Sequence, residues 1–125
     1  AICNLLATQG FRVTREFYAT FPQRIDEECR RLADAGVRLI VGDIPPLAFE
    51  VAARLGVPSV AIANFTWDWI YEWQPGLSDD AALLDVIRRA YAKATLALQL
   101  PFAPPLTVFP TVEPLALVAR QASLA

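Results

Sequence analysis

Two short stretches of this sequence carry the side chains best suited to chemistry: Gly42-Asp43-Ile44-Pro45-Pro46 and Asn64-Phe65-Thr66-Trp67-Asp68. Asp43 is a carboxylate that could accept a hydrogen bond from a ligand hydroxyl or take its proton. Aspartate is also favoured in turns and ahead of helices for purely local reasons. Asn64 offers both donors and acceptors, to a ligand or to loop backbone. Asp68 is either a charge in a first helical turn or an acid–base group. Around them stand Trp67 and Tyr71, spaced i,i+4, and Trp69 and Trp73, spaced alike. The two pairs do not share a helical face. One pair can enter the core while the other lines a cleft, where flat apolar rings with polar tips suit sugar or lipid-like ligands.

Other chemistries lack their residues. The chain has no histidine. That removes the commonest general base and metal ligand, and every Ser/His or Cys/His pair. No G-x-G-x-x-G, G-x-x-x-x-G-K-[ST] or G-x-S-x-G string occurs, so no phosphate cradle or nucleophile elbow is expected. Cys3 and Cys29 stand far apart and form no C-x-x-C motif. No metal site and no cofactor in this chain are expected.

The elements that must position these residues follow from periodicity. Ile25, Cys29, Leu32 and Ala33 recur on one helical face after Pro22, with Gly36 as the stop. Residues 37–42 are short, branched and nearly all apolar, as in a strand buried on both faces. Pro45 and Pro46 permit a helix start, and Leu47, Ala48, Val51, Ala52 and Leu55 form its stripe up to Gly56. Glu50 and Arg54 stand i,i+4 on the other side, as do Asp85 and Arg89 further on. Residues 59–63 are a second strand, so residues 37–63 spell a βαβ unit whose strands should be parallel neighbours. Thr66 is a natural N-cap for a helix through the aromatic stretch, and Ser78 for a helix bearing Leu83, Ile87, Ala90, Tyr91 and Ala94. Leu96–Leu100 is a third strand and Leu115–Ala119 a last one. Between them lie five of the ten prolines, from Pro101 to Pro114. That stretch is an ordered loop or a linker. Residues 1–21 carry the weakest pattern, although Ile2, Leu5 and Leu6 could begin a helix before Gly10 interrupts it.

Composition bounds what remains. A chain of 125 residues is one domain. Its 55% hydrophobic and 19% charged residues exclude disorder. A mean hydropathy of +0.37 suggests a buried parallel sheet or a face normally covered by a partner. Net charge −2 and scattered basic residues argue against nucleic acid. No apolar run reaches a membrane span, and no basic leader precedes one, so a cytoplasmic setting is expected. The expected fold is a three-layer, Rossmann-like α/β partial domain with a mostly parallel sheet of three or four strands. The ligand site of such a sheet lies outside the carboxyl ends of its strands, where both stretches fall.

Residues 41–71 (V-G-D-I-P-P … A-N-F-T-W-D-W-I-Y) resemble the N-terminal domain of two-domain GT-B glycosyltransferase-like proteins. The nearest likeness is to the N-terminal region of L-arabinokinases and its stand-alone bacterial relatives. Their pattern is a strand ending S-D-x-x-P, a helix with A-A-x-x-x-G, then a strand ending N-F-[ST]-W-D-x-I-Y. Asp43, Pro46, Asn64, Phe65, Trp67, Asp68 and Tyr71 match it. The pieces L-Q-L-P-F and P-L-A-L-V-A-R, up to Arg120, are weaker matches. Gly42 stands where the pattern has serine, and the family's glycine-rich first strand-loop, with its histidine, is missing. The resemblance implies residues 1–125 as an incomplete acceptor-side half, not catalytic alone, with the nucleotide-sugar donor on a second, C-terminal domain. It implies transfer of a sugar to an acceptor hydroxyl. Asp43 or Asp68 would be the base, and Pro46, Asn64, Phe65, Thr66, Trp67 and Tyr71 would line the glycosyl-acceptor cleft. The alternative is a non-catalytic sugar- or partner-binding module, fused to a sugar kinase or assembling as a homo-oligomer.

Overall fold

The computed structural model describes the backbone of residues 2–117 and the side chains of residues 10–117. The side chain of Cys3, the far end of the expected last strand and Arg120 lie outside these. Helices α1 (Ile2–Ala19) and α2 (Phe21–Leu32) precede strand β1 (Ile40–Gly42). Then follow α3 (Pro46–Leu55), β2 (Ser59–Ala63), α4 (Trp67–Glu72), α5 (Ala81–Tyr91), β3 (Leu96–Gln99) and β4 (Val112–Pro114). The four strands form one sheet in the order β1-β2-β3-β4. Every neighbouring pair is parallel. The fold is α/β and Rossmann-like, and the β1-α3-β2 unit is the one read from residues 37–63.

The strand order dictates where the helices go. Right-handed crossovers that always step the same way place their helices on one face of the sheet. Ala61, Ala63 and Ala97 on that face are fully buried, with Phe49 of α3 and Leu83, Ile87 and Tyr91 of α5. The small side chains let two helices lie close to the strands. Helix α3 has a second stripe, Leu47, Val51 and Leu55, which packs with Val86 and Ala90 of α5 against Phe21 and Ile25 of α2. The layers are therefore sheet, then α3 with α5, then α2 with α1. On the sheet's other face, Leu39 is 50% and Val41 56% exposed. The half-buried Val60, Ile62, Leu96 and Leu98 share that face by alternation.

Several local expectations give way to longer-range partners. Among the described residues the last strand is Val112–Pro114, and residues 115–117 of the expected one are not strand, because the proline-rich loop folds back and buries Leu106 and Phe109 in the core. Phe109 packs 6.0 Å from Phe49 and 5.0 Å from Tyr91, ring centre to ring centre. That anchor sets β4 beside β3 three residues early. Glu50 and Arg54 do not pair: Lys93 holds Glu50 at 2.6 Å, and Arg54 is bound to Asp26 of α2. Asp80, not Ser78, caps α5, accepting from the Leu83 amide at 3.1 Å. Arg15 of α1 also binds Asp80, and these two hydrogen bonds hold its carboxyl below the usual carboxylate range. Gly10 lies within α1. The Asp85–Arg89 pair forms as the spacing implied.

Tyr91 is the keystone. It is fully buried, and its hydroxyl donates to the Ile44 carbonyl at 2.9 Å and accepts from the Trp67 amide at 3.2 Å. One side chain thus ties together the loops after β1 and β2. Burial raises its hydroxyl well above the ordinary phenol range, so it stays a neutral donor. Ile44 sits at φ 51°, a left-handed conformation that a β-branched residue adopts only when its surroundings enforce it. Replacing Tyr91 by Phe strands a buried carbonyl and an amide at little change in volume. Tyr91→Phe should lower unfolding stability by about 1–3 kcal/mol, read as a lower urea midpoint at unchanged slope; an unchanged midpoint would show that the hydroxyl is not the pin.

Candidate functional site

The loops after β1 and β2 lie at the carboxyl ends of the strands, held together by Tyr91. Pro46 is buried at the start of α3. Asp43 and Asn64 are exposed. Gly42 has a local reason to lack a side chain, since a Cβ there would stand 3.0 Å from the Pro45 ring.

The aromatic stretch divides as its spacing implied. Trp67 and Tyr71 face inward against the main core, with ring centres 5.6 Å apart. Phe65 meets Trp67 edge-on at 5.4 Å. These three are packing residues in this structure, and Pro46 is likewise buried. Trp69 and Trp73 face outward, and Trp69 borders a cavity of about 290 Å³. Thr66, Asp68, Glu72, Arg88, Thr107 and Val108 also line it. Of the eight residues expected at the site, Thr66 and Asp68 reach this cavity.

Thr66 is buried and extended, and its hydroxyl does not cap α4. The first amide of that helix is bound by Tyr91 instead. Asp68 and Glu72 stand i,i+4 on α4, a like-charge pair that opposes a helix of six residues. Arg88 of α5 resolves the conflict. Its guanidinium lies 3.3 Å from Asp68 Oδ2 and also binds Glu72. Asp68 is only 7% exposed. Its Oδ1 is buried and has no hydrogen-bond partner among the described residues. A carboxylate oxygen out of water without a donor is costly, and a ligand donor removes that cost.

A half-buried phenol stands nearby. Burial raises the hydroxyl of Tyr18 on α1 well above the ordinary phenol range, with Tyr71 and Asp68 adding to the effect. Tyr18 is thus a neutral group and not a base. Among the described residues, no cluster of three or more Asp, Glu or Cys side chains could hold a metal ion. Among the described residues no helix is long and apolar enough to cross a membrane.

The chain matches no family model, no curated protein and no solved structure. The cavity must be read from its own geometry. Its walls combine two carboxylates, one guanidinium, two hydroxyls and an indole, which suits hydrogen bonding to a small polar ligand.

Sequence reasoning missed Arg88, Glu72 and Thr107. One signal was available for Arg88: two acids i,i+4 on a short helix call for a cation from elsewhere. Arg88→Leu leaves Asp68 buried without its counter-charge and should cost about 1–3 kcal/mol. Glu72→Gln, at the exposed end of the network, should cost no more than about 1 kcal/mol. Urea unfolding of both variants checks the order, and equal losses would show that burial of Asp68 does not govern it.

Proposed function

We propose that this chain is the acceptor-side half of a nucleotide-sugar-dependent glycosyltransferase-like protein, with the donor held by a second domain. The observation that carries the reading is Asp68: a carboxylate with one oxygen held by Arg88 and the other unpartnered, in a polar cavity at the carboxyl ends of the strands. The resemblance of residues 41–71 to GT-B N-terminal domains supports it from a separate direction. A glycosyl acceptor would place a hydroxyl against Asp68 and a ring face near Trp69.

In the reaction, the acceptor oxygen forms a bond to the anomeric carbon as the bond to the nucleotide diphosphate breaks. The diphosphate leaves with the electron pair, and a base takes the hydroxyl proton. In this reading Asp68 binds the acceptor in the cavity. Asp43 is exposed after β1 and outside the cavity lining, and serves as base only to a hydroxyl that projects beyond it.

A second reading is favoured by the sheet's exposed apolar face, where Leu39 and Val41 stand half out of water. In that reading the chain is a non-catalytic module that binds a protein partner or another copy of itself.

Titrating isotope-labelled chain with free sugars and, separately, with nucleotide sugars tests the first reading. Sugars should shift the amides of Thr66, Asp68, Trp69 and Thr107, while nucleotide sugars leave the spectrum unchanged. Sugars that shift nothing, or a nucleotide sugar that binds tightly, would overturn it. Size-exclusion mass at two concentrations tests the second reading, and a concentration-independent monomer removes self-association from it.

A further inference from the structure

The charges that line the cavity do not cancel. Asp68 and Glu72 contribute two negative charges and Arg88 one positive, and no other described residue on the wall is charged. Arg88 already binds both of these acids. A ligand bearing a carboxylate or phosphate meets a net negative wall and no free guanidinium. The wall's own donors leave Asp68 Oδ1 unserved: it is buried and unpartnered, and an ionised carboxylate only accepts.

Resting on the glycosyl-acceptor reading, we infer that the cavity selects a sugar carrying a protonated amine over its neutral and acidic counterparts. An ammonium gives Asp68 a charge-assisted hydrogen bond, about twice as strong as one from a hydroxyl. It also brings the positive charge that Asp68, Glu72 and Arg88 together leave uncompensated. The indole of Trp69, 42% exposed on the same wall, offers a face for the cation or for the ring's C–H groups. A volume of about 290 Å³ admits one sugar ring and not a long oligosaccharide. A bare divalent ion is the poorer fit. It needs six or more oxygens, and here a guanidinium already lies between the two carboxylates.

The test is binding of D-glucosamine, D-glucose, D-glucuronate and ethanolamine to the whole chain, followed by amide shifts in slightly acidic buffer. D-glucosamine should shift the amides of Asp68, Trp69 and Thr107 and bind about tenfold more tightly than D-glucose, a difference of about 1.4 kcal/mol. D-glucuronate should not bind. Glu72→Gln should shrink the glucosamine preference severalfold. Asp68→Asn should remove the preference, and its amide dispersion reports whether it folds. If it does not fold, the exposed Glu72→Gln variant decides alone.

Equal affinity for D-glucosamine and D-glucose, or a preference for D-glucuronate, overturns this inference and leaves the glycosyl-acceptor reading standing. Ethanolamine binding as tightly as D-glucosamine, with D-glucose inert, overturns the glycosyl-acceptor reading and keeps the cation preference. Silence from all four probes overturns both.

Discussion

A single phenol hydroxyl joins the two loops that carry the candidate site residues. Tyr91 leaves α5 through the main core and reaches both the Ile44 carbonyl and the Trp67 amide. Neither loop group has a strand or helix partner at that point; Ile44 is buried and Trp67 half-buried. The cost of leaving them unpaired exceeds the modest net gain of an ordinary hydrogen bond. It is enough to hold Ile44 in a left-handed backbone conformation that its β-branched side chain disfavours. The carboxyl ends of β1 and β2 are thereby fixed relative to each other by a residue on neither loop.

The same arrangement explains why α4 is helical at all. Six residues cannot sustain a helix by propensity. Two acids on adjacent turns make it worse. Inward packing of Trp67 and Tyr71, the Tyr91 bond to its first amide, and Arg88 between Asp68 and Glu72 together hold it. Of these groups Asp68, Glu72 and Arg88 also line the cavity beside the helix. A change to Arg88 therefore touches both the stability of α4 and the charge of the cavity wall.

The sheet is asymmetric in consequence of its strand order. Each crossover steps in the same direction, so the helices accumulate on one side. Small residues on the covered face and larger aliphatic ones on the other reflect that division. The apolar excess in the composition is housed on both faces. Only one of them is covered by helices among the described residues.

Much of this architecture was legible in local pattern. The alternation of apolar runs with proline and glycine specified β1, α3 and β2, and parallel pairing followed because a crossover of that length admits little else. The i,i+4 spacing of Trp67 with Tyr71 and Trp69 with Trp73 was enough to divide them between inside and outside. What the sequence could not determine was every partnership between residues remote in the chain. Lys93 took Glu50 from Arg54, and Phe109 drew the proline-rich loop into the core and placed β4 early. Tyr91 took the first amide of α4, while Thr66 kept the N-cap position without a side-chain bond, and Arg88 met Asp68 twenty residues away. Periodicity reports which face of an element is buried, because burial is a property of one element at a time. Which charge meets which, and which buried oxygen is left without a donor, depends on how two elements cross, and only the packed structure decides that.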